Sequence, residues 1–254
     1  MQADRSHQAS LSDAHKRMSL LFALALVCPN LHAQASALVV ANKLAETAIL
    51  TYQVSSNRFP FRLTGELLWQ RQDARYQARL GYSLLGQERR QTSSGLIGPV
   101  GLVPLRFTDY SGGKDLVVVF DQARQEAKLP KRAAVIALLV GAQDRLSVLL
   151  QLGALVASQP DAIKPGHSVS MQTIGASGDG VWRWTFLLHE NLRLPGGTQA
   201  TLKWVRQPMT PAGQQLEVWL APALSYLPAR IRITEPDGAY VDQQWRSGEP
   251  AAPS

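Results

Sequence analysis

Alternation of apolar and polar side chains with a period of two runs through most of the chain after residue 47. In the stretch ARYQARLGYSLL, Tyr76, Ala78 and Leu80 face one side and the residues between them are polar. Successive side chains of a strand point to opposite faces, so this pattern predicts strands with one buried and one solvent-exposed face. Turn signals separate the strands, as at SGG (111–113), GDG (178–180), PGG (195–197), PAG (211–213) and PDG (236–238).

One segment, AQDRLSVLLQLGALVASQ, has apolar residues at helical spacing instead. Asp144 precedes this run and is placed to accept hydrogen bonds from the amides of Leu146 or Ser147, which predicts a capped helix start. The sequence therefore predicts a mainly β (α+β) fold. We expect a large curved antiparallel sheet or half-open barrel of about ten strands, with one main helix packed on it.

The stretch from 226 to 245 has the clearest hairpin pattern. Ile231 and Ile233 face one side, and Gly238 in the PDG turn can take a positive φ. Arg232 is predicted to pair with Asp242 across the two strands on the wet face. This pattern predicts the closing pair of the sheet.

The first 35 residues have the three parts of a secretory signal peptide. Lys16 and Arg17 precede the apolar run MSLLFALALV at 18–27, and AQA at 33–35 offers a small-residue cleavage site. The run is too short to span a bilayer, which takes roughly 20 apolar residues. We expect a signal peptide with a polar N-terminal extension at 1–35, a single β-rich periplasmic domain at 36–247 and a disordered tail at 248–254.

Cys28 suggests a lipoprotein anchor as an alternative, but lipidation needs a small residue before the cysteine and Val27 is a poor fit. The mature chain then has no cysteine. Removing 1–35 takes three basic and two acidic residues from the 26 and 19 of the chain, which leaves a net charge of +6. Such a balance suits an anionic membrane surface, although it is also typical of a solvated basic surface. Export argues against nucleic acid as a partner.

The residues favour no particular catalytic, metal or cofactor chemistry. Only His167 and His189 remain after the leader, too few for a zinc site without carboxylates. The chain has neither a G-x-S-x-G elbow nor a G-x-x-x-x-G-K-[ST] loop. A carboxylate pair for hydrolysis remains an alternative, but nothing in the sequence selects among its candidates, Asp109, Asp115, Asp121, Glu190 and Glu217.

The tryptophans all lie in predicted strands, and five apolar residues form the candidate ligand-binding set. Trp182, Trp184, Phe186 and Leu188 alternate along one strand, and Trp204 lies on the next. On the concave side of a half-barrel this face would bind an acyl chain or another apolar ligand. Filling the core under the helix is the commoner use of such rings and remains the alternative.

Five stretches together resemble an exported bacterial family, domain of unknown function 3108: LTYQVS, GELLWQRQDARYQARL, GAQDRLSVLLQLGALV, LPGG and LEVWLAPALSYLPARIRITEPDGAYVDQQ. The resemblance covers roughly residues 47–246. It implies a periplasmic, largely β protein, similar to the half-barrel of the LolA/LolB lipoprotein carrier and receptor. It supplies no reaction and no catalytic residues.

The sequence thus predicts an uncharacterised exported envelope protein. We expect a non-enzymatic binding or carrier-like module with an apolar or lipid-like ligand on its concave face and no cofactor. The alternatives are a structural or assembly partner of another envelope protein and, third, a hydrolase with dispersed carboxylates.

Overall fold

The computed structural model describes residues 44–208, 210 and 212–251. The predicted leader at 1–35, with Cys28, and the last three residues of the predicted tail lie outside these ranges. No helix within them is long and apolar enough to cross a membrane.

The described residues form fifteen strands and one α-helix. The strands are β1 (Thr47–Ser56), β2 (Phe59–Gln72), β3 (Arg75–Leu84), β4 (Gln87–Gly98), β5 (Gly101–Ser111), β6 (Lys114–Asp121), β7 (Glu126–Lys128), β8 (Val135–Ala137), β9 (Gln143–Asp144), β10 (Ser168–Gly175), β11 (Gly178–Leu194), β12 (Gly197–Arg206), β13 (Gln215–Ala221), β14 (Leu227–Thr234) and β15 (Tyr240–Ser247). Helix α1 (Ser147–Ser158) follows β9, and short 3₁₀ turns lie at Pro160–Ala162 and Pro222–Leu224.

All fifteen strands belong to one sheet. From one edge to the other the order is β8 to β1, then β15 back to β9, so β1 and β15 pair at the centre. Neighbouring strands are antiparallel, except that β9 runs parallel to β10. The edge strands β8 and β9 are separated by only five residues of chain. Five residues span about 20 Å at most, so the two edges must lie close together and the sheet must curve strongly.

The mainly β class, the curved sheet and the single main helix match the prediction, but about ten strands was too few. The short strands β7, β8 and β9 have two or three residues each. Such short segments are too brief to show alternation and were not predicted. They lie at the two ends of the sheet.

The hairpin of β14 and β15 has the predicted register and turn. Arg232 lies opposite Asp242, and Gly238 has a φ of +82°. Its position in the sheet differs from the prediction, however. β15 pairs with β1, so the hairpin joins the two halves at the centre of the sheet instead of closing it at an edge. Period-two alternation specifies which face is buried but does not name the neighbouring strand.

Asp242 is buried, not on a wet face as predicted. Its carboxylate accepts two hydrogen bonds from Arg230, at 2.8 and 2.6 Å, and one from Gln244. Arg232, the predicted partner, also forms an ion pair with this carboxylate, at 3.9 Å. The longer side chains of the neighbouring strands cover this carboxylate, and the paired arginine offsets the cost of burying it.

The first residues of the predicted tail pair with the start of β1. Pro250 forms an isolated bridge with Ala48, and the Ala251 amide donates to the Thr47 carbonyl at 2.8 Å.

Helix α1 packs on the concave face of the sheet and contacts β5, β9 and β14. Ten of its twelve residues are buried. Gly153 allows the close approach to the chain before β14, because a Cβ there would lie 2.4 Å from the Tyr226 carbonyl oxygen. The helix therefore fills the centre of the curved sheet.

Asp144 caps the start of α1 as the sequence predicted. Its Oδ1 accepts from the amides of Leu146 and Ser147, at 2.8 and 2.7 Å. Its Oδ2 accepts from the Ser93 hydroxyl at 2.5 Å, and that hydroxyl also bonds the Tyr76 hydroxyl at 2.9 Å. Complete burial outweighs these bonds and raises the pKa of Asp144 to about 6.

Three glutamine side chains bond backbone groups at the start of β5 and at the end of the edge strand β8. Gln151 of α1 accepts from the Leu102 amide at 2.8 Å and donates to the Val100 carbonyl at 3.0 Å. Gln143 of β9 donates to the Leu102 carbonyl at 2.8 Å. Gln172 of β10 accepts from the Leu139 amide and donates to the Ala137 carbonyl. These amides supply the hydrogen bonds that a further strand would otherwise give.

We predict that Gln151→Met lowers the free energy of unfolding by about 1–3 kcal/mol, because the buried Leu102 amide loses its acceptor. Gln70→Met, at an exposed position of β2, is the control and should cost less than about 0.5 kcal/mol. Urea denaturation measures both. Equal losses would contradict the role of the Gln151 amide.

A second prediction concerns pH. Because the pKa of Asp144 in the folded protein, about 6, exceeds its usual value of 3.8, the folded state binds the proton more tightly. Stability should then fall as pH rises from about 4 to 6, by up to roughly 1.4 kcal/mol per pH unit. The Asp144→Asn variant cannot bind this proton. Its free energy of unfolding, relative to that of the native protein, should therefore rise between about pH 4 and 6 and stay constant above about pH 6. A pH-independent difference in denaturant unfolding would contradict the prediction.

Candidate functional site

A cavity of about 350 Å³ opens on the concave side, at the N-terminal end of α1. The central hairpin of β14 and β15 forms one wall, and β3 and β4 form another. Six aliphatic side chains line the floor and walls: Leu80, Leu149, Leu216, Ile231, Ile233 and Val241. The inward face of the alternating strands thus supplies an apolar surface that the helix does not cover.

Arginines surround this apolar surface: Arg58, Arg89, Arg90 and Arg145. Two of them are neutralised by carboxylates. Arg58 pairs with Asp237 at 2.8 Å, and Arg90 pairs with Glu88 at 3.2 Å. These exposed or partly exposed pairs contribute little to stability, but they hold the two guanidinium groups in place.

Arg89 and Arg145 contact hydroxyl groups instead. Arg89 donates to the Ser111 hydroxyl, and Arg145 donates to the Ser177 hydroxyl at 3.2 Å. Within the described ranges, neither has a carboxylate at ion-pair distance. Their charges are therefore available to an anion at the mouth of the cavity.

Trp182 forms a further part of the wall, and Arg206 stacks over its ring at 4.4 Å. The Arg206 Nη1 donates to the Gln214 carbonyl, whereas its buried Nε has no partner among the described residues. Burial lowers the pKa of Arg206, and the nearby charge of Arg145 lowers it further. Two like charges close together favour an anion beside this ring.

Gln243 lines the cavity with a buried amide. Its Oε1 has no hydrogen-bond partner among the described residues. An acceptor in such a position costs free energy unless a donor reaches it. Nearby, burial raises the pKa of the Tyr82 hydroxyl, while Arg89 opposes this shift. Tyr82 thus stays protonated at neutral pH and is a hydrogen-bond donor at the same mouth.

The five residues predicted to bind a ligand occupy three different environments. Trp184, Phe186 and Trp204 are fully buried in the core, where the rings of Phe186 and Trp204 lie 5.4 Å apart. Trp182 is half-buried and lines the cavity. Leu188 is 41% exposed.

A shift in the strand pairing explains why Leu188 does not share the face of Phe186. β11 has a bulge between Phe186 and Leu188, so Phe186 lies opposite Trp204 and Leu188 lies opposite Lys203. A bulge inserts one extra residue and reverses the faces of those that follow. The alternation of residues within β11 does not reveal this bulge.

The cavity also uses residues that the sequence did not single out as a site. Arg89, Arg145 and Gln243 come from three distant parts of the chain. Ile231 was predicted to share one face of the hairpin with Ile233, and Leu149 lies in the segment with apolar residues at helical spacing. The sequence indicated that these side chains face the core but gave no indication that the helix leaves a space beside them.

The candidate carboxylates lie in separate places, except that Glu190 and Glu217 both lie near Arg230. The rings of His167 and His189 lie beside those of Trp204 and Phe186. Asp109 lines the cavity, Asp121 pairs with Arg124, and Glu217 pairs with Lys203. No group of three or more metal-ligating side chains is found in the part of the chain that the structure describes.

We predict that Trp204→Ala lowers the free energy of unfolding by about 3–5 kcal/mol, because it empties a fully buried ring position. Leu188→Ala, on the same pair of strands but past the bulge, should cost less than about 1 kcal/mol. Chemical denaturation of both variants measures the difference. Similar losses would show that Leu188 packs in the core.

Comparison with known proteins supports the fold. A structure described as a beta-barrel-like protein of domain of unknown function DUF1849 from Brucella abortus matches with a TM-score of 0.52 and 11% identity, covering 82% of this chain and 99% of that one. A DUF1329 family protein from Desulfovibrio piger gives a TM-score of 0.33 and 8% identity, with coverage of 85% and 92%. The first likeness concerns the fold alone, and the second is too weak to support an argument.

No curated protein sequence matches the chain. A family model, described as protein of unknown function (DUF3108), matches residues 51–243. This match covers most of the chain and nearly all of the sheet, from within β1 to within β15. The chain therefore belongs to the DUF3108 family.

Proposed function

We propose that this protein is a non-enzymatic binding or carrier-like module of the cell envelope. Its ligand is amphipathic, with a short apolar segment and an anionic head group. One observation carries the proposal: an aliphatic cavity floor lies beside two arginines, Arg89 and Arg145, that have no carboxylate partner among the described residues. Ligand sites typically combine an apolar lining with a few polar groups that fix orientation.

The size of the cavity limits the ligand. Its volume of about 350 Å³ is near the lower end of the range of ligand pockets, ~300–1,000 Å³. The rings of Trp184, Phe186 and Trp204 are fully buried and do not line this cavity. We therefore infer a single short acyl segment, as in a fatty acid, instead of a whole diacyl lipid.

Each part of the cavity has a role in this proposal. Leu149 and Ile231 contact the apolar segment, and Arg145 binds the anionic group. Trp182 is the member of the predicted binding set that lines the cavity. The buried Oε1 of Gln243 would accept from a hydroxyl or amide of the ligand. The roles of Trp184, Phe186, Leu188 and Trp204 in ligand binding stay a prediction.

The periplasm is the proposed location. The basis is the signal-peptide pattern of residues 1–35: two basic residues, an apolar run and a cleavage site of small residues. A carrier in this compartment would shield an acyl segment from water. The proposal requires neither a cofactor nor a metal.

Calorimetric titration with decanoate and with decanol tests the proposed ligand class. We expect saturable binding of decanoate that is tighter than binding of decanol, because only decanoate carries a charge for the arginines. Arg145→Gln should weaken decanoate binding about tenfold, the value of one charge-assisted hydrogen bond, and leave decanol binding unchanged. Arg183→Gln, at an exposed position of β11 that does not line the cavity, is the matched control.

Leu149→Asn tests the apolar floor and should weaken both ligands. Thermal melts of each variant show whether it folds. Equal affinity for decanoate and decanol would refute the role of the arginines. Absence of saturable binding of either compound, together with no acyl species in native mass spectra of the purified protein, would overturn the proposed function.

A further inference from the structure

An exposed apolar segment lies at one edge of the sheet, at residues 131–140, which include β8; we name it the edge segment. Val135, Leu139 and Val140 are 43%, 56% and 86% exposed. Val119, also exposed, lies on β6, two strands further in; it is opposite Lys128 of β7, which in turn lies opposite Val135 of β8. Contiguous exposed aliphatic side chains of this kind mark an interaction site more often than scattered ones do.

The charges around the edge segment are almost all positive. Lys128, Lys131 and Arg132 are exposed, and no acidic residue occurs between Glu126 and Asp144. None of the three cations has a carboxylate at ion-pair distance within the described ranges. Asp179 adds one negative charge nearby, where its carboxylate accepts from the amide of Gln172.

The outward position of the aliphatic side chains is built into the fold. The Leu138 amide donates to the Gln125 carbonyl at 2.8 Å, and the Leu138 side chain is buried. The Gln172 amide bonds the backbone of Ala137 and Leu139 on either side. With Leu138 held inward, Leu139 and Val140 are directed into solvent.

We propose that the edge segment docks on the surface of an anionic lipid bilayer. Leu139 and Val140 enter the boundary between head groups and acyl chains, and Lys128, Lys131 and Arg132 contact the lipid phosphates. Protruding aliphatic side chains beside unpaired cations are the combination that such interfaces bind. Because Leu139 and Val140 are more than half exposed, a broad surface is the occupant that covers both at once.

Strand addition by a protein partner fits the edge segment less well. β8 has only three residues, and the Ala137 carbonyl on it already accepts from Gln172. A three-residue edge on which one carbonyl is already occupied is a poor template for another strand.

The edge segment lies beside the cavity. Arg132 donates to the Ser177 carbonyl at 3.0 Å, and Arg145 of the cavity donates to the hydroxyl of the same serine. A docked bilayer would thus lie near the arginine-lined mouth. The docking proposal does not depend on the cavity ligand, and the two are tested by separate measurements.

Co-sedimentation with vesicles tests the docking. The full protein should bind vesicles of equal phosphatidylglycerol and phosphatidylcholine at low salt, and bind phosphatidylcholine vesicles much more weakly.

Lys131→Gln with Arg132→Gln should reduce partitioning about fivefold for each cation removed. Leu139→Asn with Val140→Asn should reduce it about tenfold or more, because both side chains lose apolar burial. Leu85→Asn, at an 84% exposed leucine in the turn between β3 and β4, should leave it unchanged.

Each remaining outcome counts against the proposal. Equal binding by the native protein and both double variants, while all melt at similar temperatures, would overturn it. Equal binding to both vesicle types would refute the role of the cations. If the native protein does not bind vesicles but forms a dimer or captures a protein that the Leu139/Val140 variant loses, the edge segment is a protein interface.

Discussion

The short connection between the two edge strands constrains the rest of the structure. β8 and β9 are the outermost strands of a fifteen-strand sheet, yet five residues of chain join them. The sheet must therefore curl until its edges are close, although they do not pair with each other. Backbone groups at the start of β5 and the end of β8 need hydrogen-bond partners, and Gln143, Gln151 and Gln172 provide them. Edge closure thus depends on side chains near helix α1.

The same curvature places α1 inside the sheet. A strongly curved sheet encloses a space that apolar residues must fill, and α1 and the buried rings do so along most of its length. Capping by the buried Asp144 makes α1 begin where β9 ends. Without this cap, the first amides of the helix would have no hydrogen-bond acceptors in an apolar interior. The cavity remains just beyond that first turn, beside Leu149.

Two groups of cations lie on either side of Ser177, at the turn between β10 and β11. Arg145 belongs to the cavity and Arg132 to the edge segment, and both donate to this serine. Elsewhere on the sheet the basic residues are often paired, as in Arg230 with Asp242 and Lys203 with Glu217. At this end of the molecule, unpaired cations lie beside exposed or cavity-lining aliphatic side chains, and both proposals concern anions with apolar tails for that reason.

By itself, the sequence determined the twelve longer strands, where the helix begins and most of the side chains that face inward. These features depend on neighbouring residues: the alternation of side chains predicts the strands, and the carboxylate of Asp144 predicts the start of the helix. Only the tertiary structure decided that β15 pairs with β1, that a bulge turns Leu188 outward, and that Arg89, Arg145 and Gln243 meet at one cavity. These features depend on contacts between distant residues, which a period in the sequence does not encode.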